Sequence, residues 1–219
     1  MKKIFALIIT AMICVSAFAG EAWKNYLGFG WRLPSSTTMH VQKSGYDNLK
    51  MTQSGLDLGY TGVLMSNGFS VRALIDLNFS TSNIDITDTD SELSTFPGLN
   101  MTYLIGAGWA PIRNDHFFFG FYGMLGFDFS VFAYDTSWFS SSISKKDAYA
   151  YFAFLPAVNA TFVWTPVKTF SLFATATVGY ACPTFILHET KTNGSDSTDS
   201  YLTTGGAKVI PTIGICWKF

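Results

Sequence analysis

Residues 55–80 read G-L-D-L-G-Y-T-G-V-L-M-S-N-G-F-S-V-R-A-L-I-D-L-N-F-S. Asn67-Gly68 lies between two runs that alternate apolar and polar residues. A two-residue type I′ turn needs positive φ at both central positions, which Asn and Gly tolerate. With these two residues as the loop, Ser66 pairs with Phe69 and the register is fixed. Leu64 then faces Val71, Gly62 Ala73, Tyr60 Ile75, Leu58 Leu77 and Leu56 Phe79. On the other face Val63 meets Arg72, Thr61 Leu74, Gly59 Asp76 and Asp57 Asn78. A slip of one residue would mix the two sets, so turn chemistry and pattern agree independently on one antiparallel hairpin.

The alternation recurs along the chain. Leu27, Phe29, Trp31 and Leu33 share one face of residues 22–33, and Leu99, Met101, Tyr103, Ile105, Ala107 and Trp109 share one face of residues 98–110. Phe117, Phe119, Phe121, Leu125, Phe127 and Phe129 follow in residues 116–131. Residues 150–164 present Phe152, Phe154, Val158, Ala160, Phe162 and Trp164; Phe170 to Tyr180 and Val209 to Phe219 repeat the pattern. With the hairpin, this makes eight strands. Short turns at 65–68, 111–115 and 165–169 alternate with long polar loops near 34–50, 80–97, 133–148 and 183–206. Pro156 and Pro211 fall inside expected strands and should mark bulges or a strand end, since proline cannot donate to the ladder.

A chain of 219 residues with no linker-like stretch reads as one domain, and charged residues are only 13% of it, too few to cover a water-facing surface. Lys and Arg are scattered and the net charge is −1, which offers nucleic acid no basic stripe. Met1-Lys2-Lys3, the apolar run 4–15 and Ala17-Phe18-Ala19 read as a cleaved signal peptide over residues 1–19. Cys14 follows the bulky Ile13, which disfavours a lipoprotein signal. The mature domain is then 20–219. It contains no run of ~20 apolar residues, so any membrane crossing would be made by strands.

Alternating strands can also build soluble barrels with apolar interiors. The non-apolar face decides between the two: Gly28, Gly30, Asp57, Gly59, Thr61, Asn100, Thr102, Gly126, Asn159, Thr161 and Thr177 are small and mostly uncharged, suited to a narrow interior. Aromatics gather at strand ends, with Trp109, Phe117, Trp164, Phe170 and Trp217 at the short-turn end as one girdle. Trp31, Phe79, Phe129, Phe152 and Tyr180 could form the second.

The closing strand V-I-P-T-I-G-I-C-W-K-F, with its terminal aromatic, resembles the assembly signal of bacterial outer-membrane barrels. Together with the export signal and the loop alternation, the whole mature chain resembles the small eight-stranded bacterial outer-membrane β-barrel family. That resemblance implies an all-β, antiparallel, up-and-down transmembrane barrel integral to the outer membrane, with both termini periplasmic. It also implies outer-membrane lipid and the barrel-assembly machinery as partners, the latter reading Ile213, Ile215, Trp217 and Phe219.

No C-x-x-C, H-E-x-x-H or glycine-rich phosphate loop occurs, so no cofactor or metal is expected. Cys182 and Cys216 should lie roughly 30 Å apart at ~3.3 Å per residue, too far for a disulfide. His40 and His188 fall in Ser- and Asp-rich loops, and a lipid-modifying enzyme is the remote alternative; the expectation is no catalysis. The inward charges carry more information: Lys24 and Lys218 at the turn end, Asp57, Arg72 and Asp76 in the body, Arg32 and Asp128 toward the loops. Arg72 is expected to pair with Asp76 and Asp57, because buried charges must pair. The favoured reading is an envelope protein with a side-chain-filled interior and four surface loops for an extracellular ligand. Its competitors are a narrow channel or transporter for small, hydrophobic solutes and a secreted soluble ligand-binding barrel.

Overall fold

A computed structural model describes residues 23–43, 46–66, 68–87, 94–134, 145–168, 170–182, 184–192 and 195–218. The expected signal peptide and Phe219 lie outside the described residues. Eleven segments form one antiparallel sheet: β1 (Trp23–Lys43), β2 (Tyr46–Ser66), β3 (Phe69–Thr87), β4 (Ser94–Arg113), β5 (Phe117–Tyr134), β6 (Lys145–Phe154), β7 (Ala157–Val167), β8 (Phe170–Ala181), β9 (Thr184–Thr192), β10 (Ser195–Thr203) and β11 (Gly206–Lys218). β1 pairs with β2 on one edge and with β11 and β10 on the other, while β5 pairs with both β6 and β7, so the sheet closes on itself.

Three of the barrel's eight staves are built of two segments each. Along β5, Phe127 faces Phe154 and Met124 faces Ala157, so Leu155 and Pro156 interrupt the stave without changing its register. The ladder survives the gap: the Leu155 amide donates to the Gly126 carbonyl at 2.8 Å and the Tyr180 amide to the Pro156 carbonyl at 3.0 Å. On the opposite edge Ala157 faces Gly179 but Phe152 faces Phe185, so one extra residue is taken up between Gly179 and Phe185. Pro211 lies inside β11, opposite Ala176 of β8. Its missing N–H coincides with a bulge in β1, whose register against both β2 and β11 shifts just after Arg32, around Leu33 and Pro34. Both prolines thus sit where the ladder is already irregular.

The β2–β3 hairpin has the register dictated by its turn, from Ser66 opposite Phe69 to Leu56 opposite Phe79, with Gly68 at φ 91°. The long-loop expectation needs correction. β1 and β2 stay paired as far as Lys43 opposite Tyr46, β2 and β3 as far as Asn48 opposite Thr87, and β9 and β10 as far as Thr192 opposite Ser195. Much of the polar sequence assigned to loops is therefore strand. Backbone pairing is indifferent to side-chain polarity, and Thr is as comfortable on a pleated surface as Val.

The two faces invert the arrangement of a soluble protein. Val158 is 61% exposed and Leu125 55%, whereas Arg32, Asn100 and Asp128 are fully buried at 0%. One stretch of the inner wall requires glycine. Cβ atoms added at Gly28, Gly30 and Gly214 would each fall within 3.1 Å of the Phe173 ring, and the one at Gly214 within 2.4 Å of the Phe29 carbonyl oxygen on the neighbouring stave. The ring covers backbone that a side chain would otherwise occupy. Gly214→Val should therefore destabilise the barrel by roughly 1–3 kcal/mol through overpacking, read as a lower urea midpoint in detergent micelles. Gly123→Ala is the control, since a Cβ there meets nothing closer than 4.0 Å; equal midpoints for the two variants would contradict the packing described.

Candidate functional site

The interior is layered. Toward the loop end, Arg32 donates to Asp57 Oδ1 at 3.1 Å and to Asn100 Oδ1. Asn100 in turn donates to Asp128 Oδ1 at 2.9 Å and Ser130 Oγ at 2.7 Å, and Thr102 Oγ1 donates to Asp128 at 2.9 Å. Lys208 completes the chain with an ion pair to the other Asp128 oxygen, its ammonium 5.6 Å from the Tyr151 ring centroid. Two acids and two bases from β1, β2, β5 and β11 thus balance, linked through Asn100 of β4. Pairing of this kind is what permits charges in so dry a place.

Below this lies an apolar layer in which Leu74, Leu104, Met124, Leu155 and Ile210 pack with Tyr122. Lower still, Arg72 donates to Asn159, Thr161 and, at 3.2 Å, Thr61, and lies over the Tyr122 ring at 5.4 Å. Asn159 passes hydrogen bonds on to Thr175 at 2.9 Å and Thr177 at 2.8 Å. A cavity of about 50 Å³ lies among Asp57, Asp76, Arg72, Thr61 and Phe173. At the short-turn end a larger cavity of about 740 Å³ is lined by Lys24, Arg113, Asp115, Lys168 and Lys218 among others.

The expected pairing of Arg72 with Asp57 and Asp76 is corrected in part: neither acid bonds to Arg72, although Asp76 lies near enough to attract it through space. Asp57 lies opposite Gly30, which makes Arg32, two residues further along β1, its diagonal neighbour and ion-pair partner. Arg72 reaches across the narrow lumen to Asn159 and Thr161 of β7. Lys24 is half-buried and Lys218 exposed, both at the turn-end mouth and separated from the deeper charges. Two features escaped the sequence reading: Lys208 and the apolar layer. Counting back from Cys216 by twos puts Ile210 and Lys208 on the inner face, and the even positions of β3, β4 and β5 put Leu74, Leu104 and Met124 there. Both could have been found from alternation alone.

On the outer face, Trp109, Phe117, Trp164 and Trp217 are exposed and Phe170 partly so. Phe117 faces Trp164 across β5 and β7, Trp217 faces Phe170 across β11 and β8 with ring centroids 6.4 Å apart, and Phe69 faces Trp109. Ile213, Ile215 and Trp217 share that outer face on β11. His40 falls in β1 and His188 in β9, staves that do not pair with each other. His116 Nδ1 lies 3.2 Å from the Thr165 carbonyl oxygen, and Cys182 and Cys216 are not bonded to each other.

No protein-family model and no curated protein matches this chain. Solved structures do. The outer membrane protein OprG from Pseudomonas aeruginosa is 17% identical, with a TM-score of 0.51 over 90% of this chain and 95% of that one. A major outer membrane protein from Thermus thermophilus is 13% identical, with a TM-score of 0.59 over 91% of this chain and 100% of that one. Closed antiparallel staves, an apolar outer wall edged by aromatic pairs and a charge-balanced interior give this chain the fold of the small eight-stranded outer-membrane β-barrels.

Proposed function

We propose that the protein is a non-catalytic outer-membrane envelope protein whose sealed interior serves as a rigid support for the strand extensions at its long-connector end. The observation that carries this reading is the pair of stacked layers across the lumen. Arg32, Asp128 and Lys208 in the charged layer and Leu104 and Leu155 beneath it are all 0% exposed. A solute path along the axis would have to break both the ion pairs and the apolar contacts.

The staves are longer than a membrane requires. A transmembrane strand needs about 9–11 residues, and the outward apolar side chains of β3 run from Phe69 to Phe79, after which the strand continues to Thr87. β1 and β2 each contain 21 residues. The surplus carries Ser, Thr, Asn and Asp and stands beyond the apolar band as a polar sheet wall, the surface on which an extracellular ligand would be recognised. Short turns face the periplasm in bacterial outer-membrane barrels; the first residues of β1 and the last of β11 are at that end, so both termini are periplasmic. Outer-membrane lipid contacts the apolar wall, and the barrel-assembly machinery reads the outer face of β11 at Ile213, Ile215 and Trp217 together with Phe219.

A transporter of small hydrophobic solutes remains the competing reading, because Tyr26, Phe118 and Val163 line both cavities and make them successive along the lumen. Planar bilayers separate the two. A sealed barrel gives no reproducible conductance steps in purified form; steps of one repeatable size would contradict it. The charged layer makes a further prediction. Asp57→Leu alone leaves Arg32 buried without its ion-pair partner and should cost about 3–5 kcal/mol, as should Arg32→Met, which strands Asp57, whereas the two changes together should cost much less than their sum. Urea unfolding in lipid vesicles measures all three, and a double variant as unstable as the sum of its singles would refute the coupling.

A further inference from the structure

The turn-end cavity holds charge that the rest of the barrel does not balance. Its basic side chains come from separate stretches of chain: Lys24 at the start of β1, Arg113 at the end of β4, Lys168 between β7 and β8, and Lys218 at the end of β11. Asp115 is the one acid among its described lining residues. Among the described residues, no salt bridge or side-chain hydrogen bond engages Lys24, Lys168 or Lys218. Arg113 donates to the Ala110 carbonyl at 3.2 Å and lies over the Trp109 ring at 6.0 Å, so it too lacks a counter-ion there. Lys24 is half-buried, close enough to Lys218 to be repelled and to Asp115 to be attracted, so one acid faces several bases. A cleft lined mainly by one sign of charge between low-dielectric walls concentrates its field, and the excess of Lys24, Arg113, Lys168 and Lys218 over Asp115 calls for a multivalent anion.

The rest of the wall is apolar, with Phe118, Val163, Pro166 and Val167. At about 740 Å³ the space is within the range of small-molecule sites, roughly 300–1,000 Å³, and far larger than an inorganic oxyanion. Inward, Phe118 and Val163 also border the small cavity that Arg72, Asp76 and Asp57 line, so an apolar group can lie between them.

We propose that this vestibule binds an amphiphilic phosphate, its phosphate group held by Lys24, Lys168 and Lys218 and its apolar portion laid against Phe118 and Val163. A single carboxylate would leave most of the positive charge unmatched, while a phosphate dianion carries oxygens enough for three ammonium groups. The phosphate could belong to a soluble monoester or to an anionic lipid headgroup. The site stands apart from the sealed-barrel reading, because it ends below the layers that close the lumen.

The test uses the full mature barrel in nanodiscs of phosphatidylcholine, which leave both barrel ends open to solution, titrated calorimetrically with hexyl phosphate. Saturable one-to-one binding is expected, at least tenfold weaker in Lys24→Gln/Lys218→Gln and retained in Lys24→Arg/Lys218→Arg. Inorganic phosphate should bind at least tenfold more weakly than hexyl phosphate, and hexyltrimethylammonium should not bind. Removing two mutually repelling charges at the rim breaks no bond in the barrel; should the double variant nevertheless fail to show a heat-modifiable band, Lys168→Gln in the exposed turn should still lose about threefold. Phosphatidic acid in the disc that competes with hexyl phosphate would assign the site to a lipid headgroup, and undisturbed binding would assign it to a soluble phosphate. Absence of saturable binding, equal affinity in the Gln variants, or equal binding of the cation would overturn the proposal. Conductance bears on the lumen seal alone, so failure here leaves that reading intact.

Discussion

A strand crossing hydrocarbon finds no water for its backbone N–H and C=O groups, so each must pair with a strand on either side, and the sheet has to close. β1 closing on β11 meets that requirement, and the rest of the molecule follows from it. Eight staves enclose a space only about as wide as the side chains that fill it. Most inward-pointing polar groups therefore find partners in one another, although Arg32 Nε, Gln53 Oε1, Arg72 Nε and Thr212 Oγ1 have none among the described residues. The chain from Asp57 through Arg32, Asn100 and Asp128 to Lys208 is one solution to that constraint. Arg72 with Asn159 and Thr161 is another, built from neutral acceptors. The glycines beneath Phe173 are a third, trading side chain for room.

What alternation reports is the side of the wall, and this was legible residue by residue. Asn67-Gly68 set a register that held from Ser66 opposite Phe69 to Leu56 opposite Phe79, because a two-residue turn leaves no freedom to slip. Partners across the lumen are a different matter. They depend on tilt and stagger of the staves, which sequence spacing does not encode, and so Arg72 was assigned to acids on its own hairpin when its reach takes it to β7. Arg32 and Asp57 are diagonal neighbours on paired strands, a relation visible only once the β1–β2 register is known.

Strand length was the other blind spot. Polarity is not the mark of a loop: once a hairpin is nucleated its ladder continues as long as both backbones are extended, through Thr37, Thr38, Thr52 and Gln53 as readily as through Leu. Polarity therefore marks where the membrane ends and leaves strand length undetermined. Lys208 was overlooked for a related reason: it borders a stretch read as loop, although its parity with Ile210 and Thr212 places it inside.

The orientation of the apolar face is the claim on which the fold, the sealed interior and the polar wall all depend. Its most direct test is tryptophan quenching in vesicles containing phospholipid brominated on the acyl chains, with aqueous iodide as the counterpart. Trp31, Trp109, Trp164 and Trp217 lie exposed on the outer wall, so strong quenching by the bromines and weak quenching by iodide is the predicted result. Strong iodide quenching with no response to the brominated chains would turn the apolar face inward and contradict the barrel described here.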